Sequence, residues 1–160
     1  MLERGVMRLS VDVHNFLQNE DIQHEFFLME TRAKDDKRNL EVLGLKQKEV
    51  VKSIIIFIDG KPFNGVIPFN KKISLTKIRQ HYPDSKVEIA SHKTMVEMTG
   101  YVVGSIPPVA HKTKSTTLID KDCMKLEVLY TGGGEPNAML KIRPRDLQGL
   151  TGAEVLDISE

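Results

Sequence analysis

With 160 residues, 40% hydrophobic and 28% charged, the chain has the makeup of a single globular domain spanning residues 1–160 around one core. A net charge of +1 excludes a global field that would draw it onto nucleic acid or an anionic membrane, so any nucleic-acid contact has to come from a local patch. One cysteine, Cys123, excludes an internal disulfide framework and predicts a reducing, cytoplasmic setting.

No membrane association is expected, because the longest apolar run, residues 54–58, is far too short to span a bilayer. The N-terminus lacks the apolar stretch of a secretion signal, and Met7 offers a second start, so residues 1–6 carry no argument.

Val11, Val13, Phe16 and Leu17 recur at helical spacing and predict a short amphipathic helix over residues 10–19. "IQHEFFLME" predicts a first strand, and the charged "TRAKDDKRNLEVLG" a loop leading into a short helix that stops near Gly44. "VVKSIIIFIDGKPFNGVIPF" is the strongest signal, two β-rich runs flanking Asp59-Gly60-Lys61-Pro62, a hairpin cue. Ser74 is placed to cap a helix "LTKIRQHY" with Leu75 and Ile78 turned inward. "KVEIA" follows as strand, and Ser91 caps a helix "HKTMVEMT" that Gly100 ends.

The apolar "YVVG" runs strand-like into "GSIPP", after which "STTLID" resumes as strand. "KLEVLY" and "AMLKI" predict a second hairpin about "TGGGEPN". Pro144, tolerated in a first helical turn, opens a closing helix "PRDLQGLTG". Helices and strands mix without strict alternation. The prediction is an α+β fold with a mixed, barrel-like sheet flanked by short helices, not a doubly wound one.

Three stretches have the residue types that chemistry needs. In "VVKSIIIFI", Lys52 shares a face with Ile54, Ile56 and Ile58, while Val51, Ser53, Ile55 and Phe57 take the other, the pattern of a strand buried on both sides. A lysine opening such a strand is partly desolvated, which lowers its pKa; it also serves simply as a charge guarding an aggregation-prone strand. In "GSIPP", Pro107 and Pro108 offer no N–H, so Gly104, Ser105 and Ile106 are left to supply backbone donors for a carbonyl or oxyanion, unless the loop only turns a corner. Ser105 is not in a Gly-x-Ser-x-Gly elbow and is not read as a nucleophile.

Gly132, Gly133 and Gly134 either make a bulged hairpin or leave room for a base or sugar against bare backbone. His14, His24, His81, His92 and His111 lack metal-ligand spacing, so no metal site is expected. Lys71, Lys72, Lys112 and Lys114 form either a small basic rim for phosphates or a solvated surface.

Taken in order, "VVKSIIIFIDGKPFNGVIPFNKKISLTKI", "MTGYVVGSIPP", "TLIDKDCMKLEVLYTGGG" and "IRPRDLQGLTGAEVLDI" make the chain resemble the YbaK/prolyl-tRNA synthetase-associated editing domain family over roughly residues 9–157. The resemblance implies a trans-acting aminoacyl-tRNA deacylase, a hydrolase that cleaves the ester of mischarged tRNA in translation proofreading. Its partners would be aminoacylated tRNA and a prolyl-type synthetase, and no cofactor is implied. Lys52 matches the lysine needed for activity, and its neighbour Ser53 is counted among the substrate-binding residues. Gly104, Ser105 and Ile106 would hold the ester carbonyl, with Pro107 and Pro108 against the substrate. Gly132, Gly133 and Gly134 match the turn beside the terminal adenosine.

Relatives directed at alanine often carry a histidine shortly after that turn, whereas here the stretch reads Glu135-Pro136-Asn137-Ala138-Met139-Leu140, which argues against an alanine-type assignment. The first strand, Phe26-Phe27-Leu28-Met29, is also more apolar than in many relatives. Two other functions suit the residues: a non-catalytic module binding tRNA or a synthetase, and a hydrolase of small esters that keeps the pocket without tRNA.

Overall fold

The structure, a computed structural model, describes residues 7–28, 44–46 and 49–160. The predicted loop and helix before Gly44, and the last two residues of the predicted first strand, lie outside the described residues.

Helix α1 (Ser10–Asn19) buries Val13 and Leu17, the inner stripe of its predicted amphipathic pattern. Strand β1 (Glu25–Leu28) follows. The central hairpin pairs β2 (Val51–Ile58) with β3 (Lys61–Pro68) in an antiparallel register that sets Ile58 opposite Lys61. That leaves Asp59 and Gly60 as a two-residue loop, both at positive φ (51° and 79°), the backbone twist that suits a tight hairpin. Helix α2 (Leu75–His81) begins where Ser74 accepts a hydrogen bond from the Lys77 amide at 3.2 Å. After β4 (Val87–Ile89), Ser91 caps α3 (His92–Thr99) in the same way, and Gly100 ends it at φ 86°.

Strand β5 (Thr116–Asp120) comes next, then a single 3₁₀ turn (Cys123–Lys125), β6 (Leu129–Gly132), β7 (Ala138–Ile142), α4 (Pro144–Thr151) and β8 (Glu154–Leu156). The predicted strand "KLEVLY" is shorter at its start than expected, because Cys123 turns inward and the 3₁₀ turn takes up Lys125. The strand-like "YVVG" is not a strand. Tyr101 is fully buried, its amide donates to Thr99 Oγ1 (3.2 Å) and its hydroxyl to Ala110 O (2.9 Å), so the segment folds back on itself instead of pairing along a ladder.

The α+β class holds, with its sheet divided in two. A mixed five-stranded sheet runs β4-β2-β3-β5-β8, and an antiparallel three-stranded sheet runs β1-β7-β6. The sheets are open and do not close into the expected barrel-like cylinder; a parallel bridge from Val50 to Tyr130 joins them at the start of β2. Among the described residues, three apolar clusters fill the spaces between layers. The largest takes Val51 and Ile55 of β2 with Leu17, Tyr101, Ile106, Leu129 and Leu140. The second lies on the other face of β2, with Ile56, Ile58, Ile67 and Ile78. A third, smaller cluster sits at the sheet junction, Val50 and Met139 against Phe27, Phe69 and Tyr130. Among the described residues, no helix is long and apolar enough to cross a membrane.

Candidate functional site

The alternation of β2 decides where Lys52 points. Val50 belongs to the junction cluster and Ile54 borders the second cluster, so the face they share carries Lys52 as the polar break between two apolar patches. Its ammonium lies 5.6 Å from the centre of the Phe69 ring, a cation–π distance. Partial burial, and next the nearby Lys72 ammonium, hold the Lys52 pKa below the ordinary lysine value. A base desolvated beside a like charge is poised to receive an anion or a carbonyl oxygen, either of which would offset both effects. Ser53 points to the opposite face, into the main core, and is 6% exposed.

The three-stranded sheet continues the junction. Register pairs Phe27 with Met139 and Gly132 with Met139, so one face of that sheet carries Phe27, Met139, Tyr130 and Gly132, while Phe26, Leu140 and Leu129 face the main core. At Gly132 a Cβ would stand 2.7 Å from Ile106 O and from the Ser105 carbonyl carbon. The bare backbone therefore admits the 104–108 loop. The Gly134 amide donates to Ser105 O (2.9 Å), locking turn to loop. Gly133 donates to Ala138 O (3.1 Å) within the hairpin. The far side of the turn abuts α1: Glu135 accepts from the Ser10 amide (3.0 Å) and from the Ser10 hydroxyl.

The loop itself is rigidly held. Ser105 donates both its amide (3.0 Å) and its hydroxyl (2.8 Å) to Val102 O, so neither group is directed outward. Among the described residues, the amides of Gly104 and Ile106 have no hydrogen-bond acceptor. Gly104 is exposed, whereas Ser105, Ile106, Pro107 and Pro108 are buried. Pro108 O accepts from Asn64 Nδ2 (3.2 Å) and Pro107 O from His111 Nε2 (2.6 Å).

A path of contacts thus runs from Lys52 through Phe69 and the junction cluster to Gly132 and the 104–108 loop. It links the three stretches singled out in the sequence. Asn64, Phe69 and Tyr130 had no such signal, since each is one residue of an apolar strand or turn whose neighbours only the fold selects. Of the lysines in the predicted rim, Lys72 is near enough for its charge to lower the Lys52 pKa, while Lys71 pairs with Asp122 at 2.8 Å.

Nucleophilic alternatives are few. Burial pushes the Cys123 thiol well above its usual range, which makes it inert. Among the described residues, no three His, Cys, Asp or Glu side chains gather as a metal site would require.

Known proteins share this architecture. The chain is 23% identical over 121 residues to the "Putative Cys-tRNA(Pro)/Cys-tRNA(Cys) deacylase EbsC" of Enterococcus faecalis, covering 74% of this chain and 73% of that one. It is 31% identical over 72 residues to a proline–tRNA ligase of Maridesulfovibrio salexigens; the match takes 45% of this chain and 12% of the ligase. The crystal structure of the hypothetical protein APE2540 superposes with a TM-score of 0.85 at 29% identity, over 93% of this chain and 99% of that one. A structure described as "a putative trans-editing enzyme for prolyl tRNA synthetase" shares the fold with a TM-score of 0.82 at 23% identity, over 100% and 99% of the two chains. The family model for the aminoacyl-tRNA editing domain matches residues 33–150, and the chain belongs to that family.

Proposed function

We propose that the protein is a trans-acting aminoacyl-tRNA deacylase that hydrolyses the ester of mischarged tRNA, with the sheet junction as its active site. The observation that carries this reading is the placement of Gly132 directly against Ser105 and Ile106, on the face of the junction that Lys52 also borders. In the reaction, a water oxygen attacks the ester carbonyl carbon, the bond from that carbon to the ribose oxygen breaks, and the ribose oxygen takes the proton.

The side chains favour water over a protein nucleophile. Ser105 Oγ is bonded to Val102 O, Cys123 is buried, and His111 is held by Pro107 O. The amides of Gly104 and Ile106 are the donors for the developing oxyanion, held in place because the loop's inward carbonyl is already bonded to Gly134. Lys52 and Lys72 receive the phosphate end of the acceptor strand, and the Phe69 ring borders them. Catalysis of this kind rests on placement and electrostatics, and the tRNA's neighbouring ribose hydroxyl helps to position the water.

A deacylation panel tests this. Wild type and Lys52→Ala are incubated with tRNAs carrying cysteine, serine, alanine or proline, and the charged fraction is followed. Cysteinyl-tRNA(Pro) heads the panel because the Enterococcus relative is named for it. Clearance of one species by wild type, and none by folded Lys52→Ala, is expected. Saturable binding of every species with no clearance would instead make the protein a binding module.

A further inference from the structure

The 104–108 stretch lies within a longer loop that is pinned at its base. There the Lys112 amide donates to Thr99 O (3.0 Å) and the Thr113 amide to Met98 O (2.8 Å). Arg8 holds both arms of this loop. Its amide donates to Gly100 O (2.6 Å), near the start, and its guanidinium to Ala110 O (3.2 Å), near the end. Ala110 stands at φ 63°, a conformation that costs energy for a residue with a Cβ and persists only where neighbours hold it. Its carbonyl takes a second bond from the Tyr101 hydroxyl (2.9 Å), which burial pushes up to about 12 and so keeps as a donor.

The next two residues reach the glycine turn. A Cβ on Gly134 would stand 3.0 Å from Leu9 C and from Ser10 N, so this stretch lies directly on bare backbone. The Ser10 amide (3.0 Å) and hydroxyl donate to the Glu135 carboxylate, which is thereby seated at the first turn of α1. Gly134 in turn donates to Ser105 O (2.9 Å), which closes a circuit from Arg8 through the loop and the turn back to Ser10. Met7 and Leu9 are 44% and 48% exposed, so the crossing stretch is held by these bonds more than by side chains sunk in the core.

We propose that Arg8 and Glu135 are positioning residues of the candidate site. They are the two anchors of a brace, residues 8–10, that fixes the 104–108 loop against the glycine turn and so aims the Gly104 and Ile106 amides. That those amides hold an oxyanion rests on the deacylase reading. The brace itself does not, and one arm of its test uses no tRNA.

That arm compares the isotopically labelled full chain with Arg8→Ala and Glu135→Ala by NMR. Each variant should shift the Gly104 and Ile106 amide resonances and speed hydrogen exchange at Gly134 by roughly tenfold, with the β2–β3 hairpin unchanged. In the deacylation assay each should lower kcat by roughly tenfold and leave KM within about twofold, since the loop is misplaced and the tRNA contacts are not. A brace spans only while both ends are attached, so the double variant should lose little more than either single one. Arg8→Lys keeps a donor and Glu135→Gln keeps an acceptor, and both should recover most of the rate. The two anchors have opposite charges, so direct action on tRNA phosphates would raise KM in Arg8→Ala and lower it in Glu135→Ala; that result would overturn the proposal. Losses that multiply in the double variant, or loop resonances that stay unchanged in both single variants, would do the same. Should one alanine variant fail to fold, the other decides alone, because each is expected to free the same loop. If wild type clears no charged tRNA, the deacylase reading falls, and the exchange arm by itself decides the brace.

Discussion

Gly60 and Gly132 both sit at hairpin ends and look alike in sequence, yet their surroundings are opposite. At Gly60 a Cβ would meet nothing within 4 Å; the residue is needed because φ is +79°, where side-chain-bearing residues are strained. At Gly132 the position of a Cβ is filled by backbone atoms of the 104–108 loop at 2.7 Å. The first glycine supplies conformation to a turn in solvent. The second supplies absent volume, and its absence of volume sets the distance between two elements of the candidate site.

That contrast is broken most directly by Gly132→Ala. Pushing the loop away from the turn is expected to lower kcat by about 100-fold, because misplacing a reactive group by an ångström has effects of that order. It should also lower stability by about 2–3 kcal/mol through overpacking. Thermal unfolding and the deacylation assay check both arms.

Lys52→Met separates chemistry from stability. Activity should fall at least about 100-fold while the unfolding midpoint stays level or rises by ~2–4 °C, the shift that about 1 kcal/mol produces in a domain of this size. The sign follows from the lowered Lys52 pKa: the folded state disfavours the charged form, so removing the charge relieves a penalty present whenever both states are protonated. A midpoint that drops with activity intact would make Lys52 structural.

Gly60→Ala should lower stability by about 1 kcal/mol and leave kcat unchanged, the counterpart of the Gly132 result. Ser105→Ala removes a hydroxyl bonded inward to Val102 O, with an expected loss of about 1 kcal/mol and deacylation within a few-fold of wild type. A large activity loss there would assign the hydroxyl to the reaction.

The smallest expected effect is the pH dependence carried by His111. Its folded pKa is lowered, chiefly by burial, so the folded state binds fewer protons than the unfolded one, and stability should fall as pH drops below the ordinary histidine value of 6.5. Asp59, Asp122 and Asp157 have lowered pKa values and lose their contributions as pH falls below the ordinary aspartate value of 3.8. Denaturation midpoints measured between those two values follow the His111 contribution, and His111→Gln should flatten the slope there.

Local rules made much of this molecule legible. Ser74 and Ser91 cap helices because short hydroxyls bond amides one turn on, and Asp59-Gly60 turns a hairpin because both residues tolerate positive φ. Lys52, the 104–108 loop and the late glycines were visible as candidates for the same reason, each being an unusual residue type in its local pattern. Strand β8 was missed: it is three residues long, and its parallel pairing with β5 gives no alternation to read. "YVVG" was misread because an apolar triplet has strand propensity, and only the buried hydrogen bonds of Tyr101 override it.

What the sequence by itself determined was the element types, the α+β class and the positions of the candidate residues, since these follow from periodicity, capping and turn chemistry within a few residues. The tertiary structure alone decided that the sheet divides into two open parts, that Gly132 receives the loop, that Ser105 turns inward, and that Asn64 is buried with one oxygen unpaired. Those outcomes depend on contacts between residues tens of positions apart, where the volume of one group and the hydrogen-bond demand of another meet only once the chain has packed.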